Sequence, residues 1–294
     1  MSIFKGACTA LVTPFTEDGV DFDALGKLID FQIKEGIDAL LVCGTTGEPS
    51  TMTDEEKSDV IRYTVEKAAG RVPVIAGTGS SNTKKAADTS KKAEELGADA
   101  LLVVNPYYNK TNAKGLIEHY KAVCEATSLP VIVYNVPSRT GHNITPSALL
   151  ELSAIENIVA VKEASGDIAQ VLEIRRLCGD RMDIYSGNDD ITVPVLAAGG
   201  IGVISVASNI VPRDVHDMVM EFLAGNTANS LDKQLKLLPL IKSLFLEVNP
   251  IPIKTAMNLI GMSMGPLRLP LHRMATDNLK ILKQCLSDYG LLAQ

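Results

Sequence analysis

Through the first two thirds of the chain, short apolar runs alternate with longer stretches in which apolar positions recur every three or four residues. That alternation marks βα units and a parallel sheet. Eight runs stand out, at 7–13, 39–43, 72–77, 100–105, 131–135, 158–162, 182–186 and 202–206. The LLVV and VIVY segments are continuously apolar, as suits strands covered on both faces. Eight repeats predict an α/β fold closed as a (β/α)8 TIM barrel, with an open doubly wound sheet as the alternative.

Between the runs lie amphipathic segments with recognisable ends. Asp23 precedes one, Thr53 opens another with a capping box to Glu56, and Thr145 stands before Pro146 at the first helical position. Gly36, Gly70 and Gly97 follow expected helix ends, where a left-handed residue is commonly needed. After residue 206 the pattern changes to helix upon helix, near 213–224, 228–247, 253–260 and 272–286, with breaks at 249–252 and 264–270. The expected division is a catalytic barrel over 1–224 and a C-terminal helical extension over 225–294.

Composition narrows the functions available. With 294 residues, 46% of them hydrophobic, the chain has material for a large core. A net charge of −7 without a basic run argues against nucleic acid or an anionic membrane as partner. No apolar run reaches the ~20 residues of a membrane span, and the N-terminus has no leader pattern, so cytoplasmic residence is expected. The five cysteines (Cys8, Cys43, Cys124, Cys178, Cys285) form no CxxC pair and read as reduced thiols. The four histidines (His119, His142, His216, His272) lack ligand-like spacing, which disfavours a metal-dependent aldolase.

In such barrels reactive groups sit at the C-terminal ends of strands. The second run ends in Cys43-Gly-Thr-Thr-Gly-Glu48, the fourth in Asn105-Pro-Tyr-Tyr-Asn109, the fifth in Tyr134-Asn-Val-Pro-Ser-Arg-Thr-Gly141, and the sixth in Lys162-Glu-Ala-Ser-Gly-Asp167. Strand alternation puts Lys162 on the side of Ile158 and Ala160. If that side faces the barrel, desolvation favours a neutral amine, the form that attacks a ketone to make an imine. The competing reading is a structural lysine paired with Glu163. The Thr45-Thr46 turn can offer amides and hydroxyls to a carboxylate, or be an ordinary βα loop. Tyr134 could act as a general acid, with Thr45 and Tyr108 as relay candidates, or be a hydrogen-bonded residue at the core's edge. Arg139 suits a second carboxylate, or faces solvent.

Taken together, GTTGE at 44–48, NPYYN at 105–109, YNVPSRTG at 134–141 and KEASGD at 162–167 resemble the dihydrodipicolinate synthases, and the segment Asn249-Pro-Ile-Pro-Ile-Lys254 fits as well. The match runs in order along the whole barrel. The resemblance implies that Lys162 forms an imine with pyruvate while Thr45 and Thr46 hold the pyruvate carboxylate. It implies a proton relay of Thr45, Tyr134 and Tyr108, the last reaching across a subunit interface. Arg139 would receive the carboxylate of L-aspartate 4-semialdehyde, and Gly187 and Ile204 would line the site through backbone groups. The implied product is 4-hydroxy-tetrahydrodipicolinate, on the route to diaminopimelate and lysine, with no metal or organic cofactor and a homotetramer built as a dimer of dimers. One departure concerns feedback: among the positions aligned with the family's lysine site, Lys57 and Lys85 stand beside Pro49, Ser50, Asp54, Ser81 and Tyr107. Two cations there would repel the ammonium of lysine, so weak or absent inhibition is expected, and half-maximal inhibition at submillimolar lysine would refute it.

The nearest alternative is another pyruvate-dependent aldolase on the same fold, such as a neuraminate lyase or a keto-deoxy sugar acid aldolase. Phosphosugar isomerase barrels and non-catalytic barrels are further alternatives. Arg139 and the paired threonines favour the synthase.

Overall fold

The structure, a computed structural model, describes residues 2–292. Eight parallel strands, β1 (Gly6–Ala10), β2 (Ala39–Val42), β3 (Val74–Gly77), β4 (Ala100–Val104), β5 (Val131–Asn135), β6 (Ile158–Glu163), β7 (Asp183–Ser186) and β8 (Gly202–Ser205), pair in chain order. They close through β1 on β8, where Gly6 meets Gly202 and Cys8 meets Ile204. Closure removes the open doubly wound alternative and leaves no strand edge.

Every strand matches an expected run, and the ends differ for identifiable reasons. β1 stops at Ala10 because the amide of Val12 is taken by Asn209 Oδ1 at 3.1 Å rather than by a neighbouring strand. β3 begins after Pro73, which has no N–H to give the ladder. Asp21, not Asp23, caps the helix Phe22–Lys34, accepting from the amide of Ala24, and Asp23 lies in the first turn. Thr53 forms the full capping box with Glu56, and Thr145 caps the helix Pro146–Leu152 with proline in its first turn. Gly36, Gly70 and Gly97 have φ of 86°, 71° and 88°.

The core has two parts. Between the barrel and its helices lies the larger, lined by outward residues such as Leu40, Val103, Val133 and Val161. Inside the barrel, Cys8, Ala10, Ala39, Leu41, Ile75, Ala100, Leu102, Ile132, Tyr134, Ala160, Tyr185 and Ile204 fill the tube in small-beside-large layers. A register shift opposite Val131 and Ile132 puts two residues of β6 against one step of β5. It reverses the side on which Ile158 lies: Ile158 joins the outer layer and Ala160 the inner one. Lys162 therefore shares its side with Ala160 and not with Ile158.

Beyond β8 come the helices Pro212–Leu223, Thr227–Ser243, Ile251–Leu259 and Thr276–Tyr289. The Ile251–Leu259 helix sends Lys254 under the loop that follows β2. Lys254 Nζ meets Glu48 Oε1 at 2.8 Å and Thr13 O at 3.0 Å, both ionic side chains being buried.

Candidate active site

The mouth of the barrel is shaped by loops held in uncommon backbone conformations. Among the described residues, four of the six non-glycine residues with positive φ follow β2 or β4: Cys43 (54°), Glu48 (56°), Tyr108 (65°) and Lys110 (46°). Such conformations persist only where the surroundings impose them, and they concentrate at working sites.

Lys162 rises from the inner face of β6 into this mouth, 5% exposed. It is level with Tyr134 of β5 on one side and Tyr185 of β7 on the other. Its Nζ lies 4.5 Å from the centroid of the Tyr134 ring. Glu163 points the other way, accepting from Asn135 Nδ2 at 2.9 Å and from the amide of Ser165 at 2.7 Å. The pairing of Lys162 with Glu163 is thereby removed, since that carboxylate is fully engaged behind the strand. Gly187 backs onto the lysine: a Cβ there would come within 3.2 Å of Lys162 Cε and 2.6 Å of Ala164 Cβ. Ile204 is buried in the inner layer.

The turn Thr45–Gly47 follows β2 as one 3-10 turn, with Thr46 buried and Thr45 half-buried. Arg139 lies in the short helix Pro137–Thr140 after β5, and its Nη2 donates to Asn249 O at 2.9 Å. Asn249 Nδ2 in turn donates to Thr46 Oγ1 at 3.0 Å, while Asn249 Oδ1 is buried without a donor among the described residues. The backbone and side chain of one residue of the extension thus link Arg139 to the threonine turn. Tyr108 stands apart, 95% exposed, and within this chain it does not come to Tyr134.

Three contributors escape a reading of local motifs. Asn249 was visible only as part of a matching segment. Asp189 follows the strand end Ser186-Gly-Asn, a position where barrel chemistry is expected. Its buried carboxylate accepts from the amides of Val206 and Ala207 at 2.9 and 3.2 Å, tying β7 to the end of β8. Burial raises its pKa, against hydrogen bonding and the charge of Lys162. Lys254 is the third, its pKa lowered by burial and held up in part by Glu48. Among the described residues, no three His, Cys, Asp or Glu side chains gather so as to hold a metal ion, and no helix is long and apolar enough to cross a membrane.

A closed eight-stranded barrel with a buried strand-end lysine facing a tyrosine ring at its mouth is the setting, and the class of protein is that of the Schiff-base lyases. Residues 3–289 match the dihydrodipicolinate synthetase family. The 4-hydroxy-tetrahydrodipicolinate synthase of Caldicellulosiruptor saccharolyticus is 60% identical over 292 residues, covering 99% of both chains. The dihydrodipicolinate synthase of Thermotoga maritima superposes with a TM-score of 0.97 at 42% identity, covering 99% of this chain and 100% of that one. A chloride-inhibited dihydrodipicolinate synthase from Acinetobacter baumannii, complexed with pyruvate, gives 0.96 at 38% identity, covering 98% and 99%. The chain belongs to the dihydrodipicolinate synthetase family, and its activity is that of a 4-hydroxy-tetrahydrodipicolinate synthase, a lyase of lysine biosynthesis.

Proposed function

We propose that Lys162 performs this reaction by attacking the ketone of pyruvate, with Tyr134 giving the proton that lets the carbinolamine lose water. The imine acidifies the pyruvate methyl group, and the enamine formed on its deprotonation adds to the aldehyde of L-aspartate 4-semialdehyde. The amine of that substrate then displaces Lys162 by cyclisation, freeing 4-hydroxy-tetrahydrodipicolinate and the lysine together. The observation that carries this reading is the amine itself: 5% exposed, 4.5 Å from the Tyr134 ring centroid, with room left by Gly187. No metal or organic cofactor enters the sequence of steps.

Thr45 and Thr46 hold the pyruvate carboxylate in this scheme, and Arg139 takes the carboxylate of the semialdehyde. Gly187 and Ile204 contribute backbone groups to the wall. The relay of Thr45, Tyr134 and Tyr108 needs a second copy of the chain, and the 95% exposure of Tyr108 supports that requirement. A homotetramer of paired dimers, a catalytic unit over 1–224 with an extension over 225–294, and cytoplasmic residence belong to the same reading. Weak lysine feedback does too, supported by Lys57 and Lys85, two cations that share the single carboxylate of Asp54, at 2.8 and 3.0 Å, and so leave a net positive charge.

Steady-state kinetics of Arg139→Ala test the assignment of the second carboxylate. The KM for aspartate semialdehyde is expected to rise about tenfold or more, the size of a lost charge-assisted hydrogen bond, with the pyruvate KM changed far less. A rise confined to pyruvate would overturn the assignment.

A further inference from the structure

A carboxylate only accepts hydrogen bonds, whereas a threonine hydroxyl both donates and accepts. A threonine that binds a carboxylate strongly must have its proton directed at the ligand and its lone pairs engaged elsewhere. Thr46 meets that requirement. Asn249 Nδ2 donates to its Oγ1 at 3.0 Å, in a place where Thr46 is 2% and Asn249 6% exposed. Among the described residues, the Thr46 hydroxyl has no acceptor for its own proton, which is left for a ligand. Thr45, on the same turn and half-buried, has no side-chain partner among the described residues, so its hydroxyl is free to accept and then donate, as a proton relay demands.

Asn249 is itself well anchored. Its carbonyl accepts from Arg139 Nη2 at 2.9 Å, and it stands just before the Ile251–Leu259 helix, which is pinned through Lys254 to Glu48 at 2.8 Å. Glu48 closes the turn that carries both threonines, its amide donating to Thr45 O at 3.2 Å.

We propose that Asn249 is a positioning residue that fixes the hydrogen-bond direction of Thr46, making it an obligate donor to the pyruvate carboxylate while Thr45 remains reversible. The inference rests on the reading that Thr46 holds that carboxylate. It divides the labour between two adjacent threonines: the one gripped by Asn249 only binds, and the ungripped one is free to relay a proton as well.

Kinetics of the full-length enzyme with Asn249→Asp, Thr46→Val and the double variant test it. Aspartate is close in shape to asparagine but offers only acceptors, so it draws the Thr46 proton to itself. Asn249→Asp is expected to raise the pyruvate KM about tenfold, with the change carried by KM more than by kcat. Thr46→Val is expected to raise it similarly, and adding Asn249→Asp to Thr46→Val to raise it no further. KM is insensitive to the fraction of folded enzyme, so partial misfolding does not imitate this pattern. If Thr46→Val raises the pyruvate KM and Asn249→Asp does not, Thr46 binds the carboxylate without direction from Asn249, and the inference fails alone. If Asn249→Asp raises KM equally in the Thr46→Val background, its action is the repulsion of one negative charge by another, and the inference also fails. If Thr46→Val leaves the pyruvate KM unchanged, the carboxylate assignment falls and the inference with it.

Discussion

Lys162, 5% exposed, faces the ring of Tyr134, and among the described residues no carboxylate pairs with it. In the proposed reaction the phenol of Tyr134 protonates the carbinolamine formed on Lys162. Tyr134→Phe is expected to lower kcat about 10²-fold or more, in the range of a lost general acid, while pyruvate still binds; stopped turnover assays read this, and an undiminished kcat would exclude the role. The places of Lys162 and Tyr134 near strand ends were legible in the sequence because each lies at the close of an apolar run. The side of β6 on which Ile158 falls was not legible, because a one-residue bulge is set by pairing with β5 and leaves no local mark. Asn249 was hidden for a related reason: its contact with Thr46 spans 203 residues of chain.

At the level of elements, the site depends on a helix outside the sheet. The Ile251–Leu259 helix drives Lys254 into contact with Glu48, and Lys254 Nζ also lies 4.2 Å from the centroid of the Phe15 ring. The other oxygen of Glu48 accepts from the amide of Arg268 at 3.0 Å, so one carboxylate gathers the β2 loop and two segments of the extension. Removing one partner of a buried pair leaves an uncompensated charge, whereas replacing both can be nearly neutral. Lys254→Met is expected to cost about 3–5 kcal/mol in denaturant unfolding, and Glu48→Gln with Lys254→Met together much less. Equal losses in the single and double variants would show that packing, not charge, holds the helix. The helical periods of the extension could be read from sequence, but its docking could not, since neither Glu48 nor Lys254 stands in a pattern that marks its partner.

For the whole molecule, the closed barrel brings Thr45, Tyr134 and Lys162 to one end, as their places at strand ends foretold, together with Gly187 and Ile204, which only the family resemblance had pointed to. What one chain does not do is bring Tyr108 to Tyr134, and its 95% exposure leaves a large aromatic in water. Activity followed through dilution, alongside sedimentation, is expected to fall as dimers separate, and a monomer with full turnover would contradict the shared relay. The central claim is covalent, and reduction with borohydride in the presence of pyruvate, followed by peptide mass mapping, reaches it most directly. A pyruvate-dependent adduct on Lys162, absent in Lys162→Arg, is the predicted result. Full protection from trapping, or an adduct on another lysine, would contradict the account.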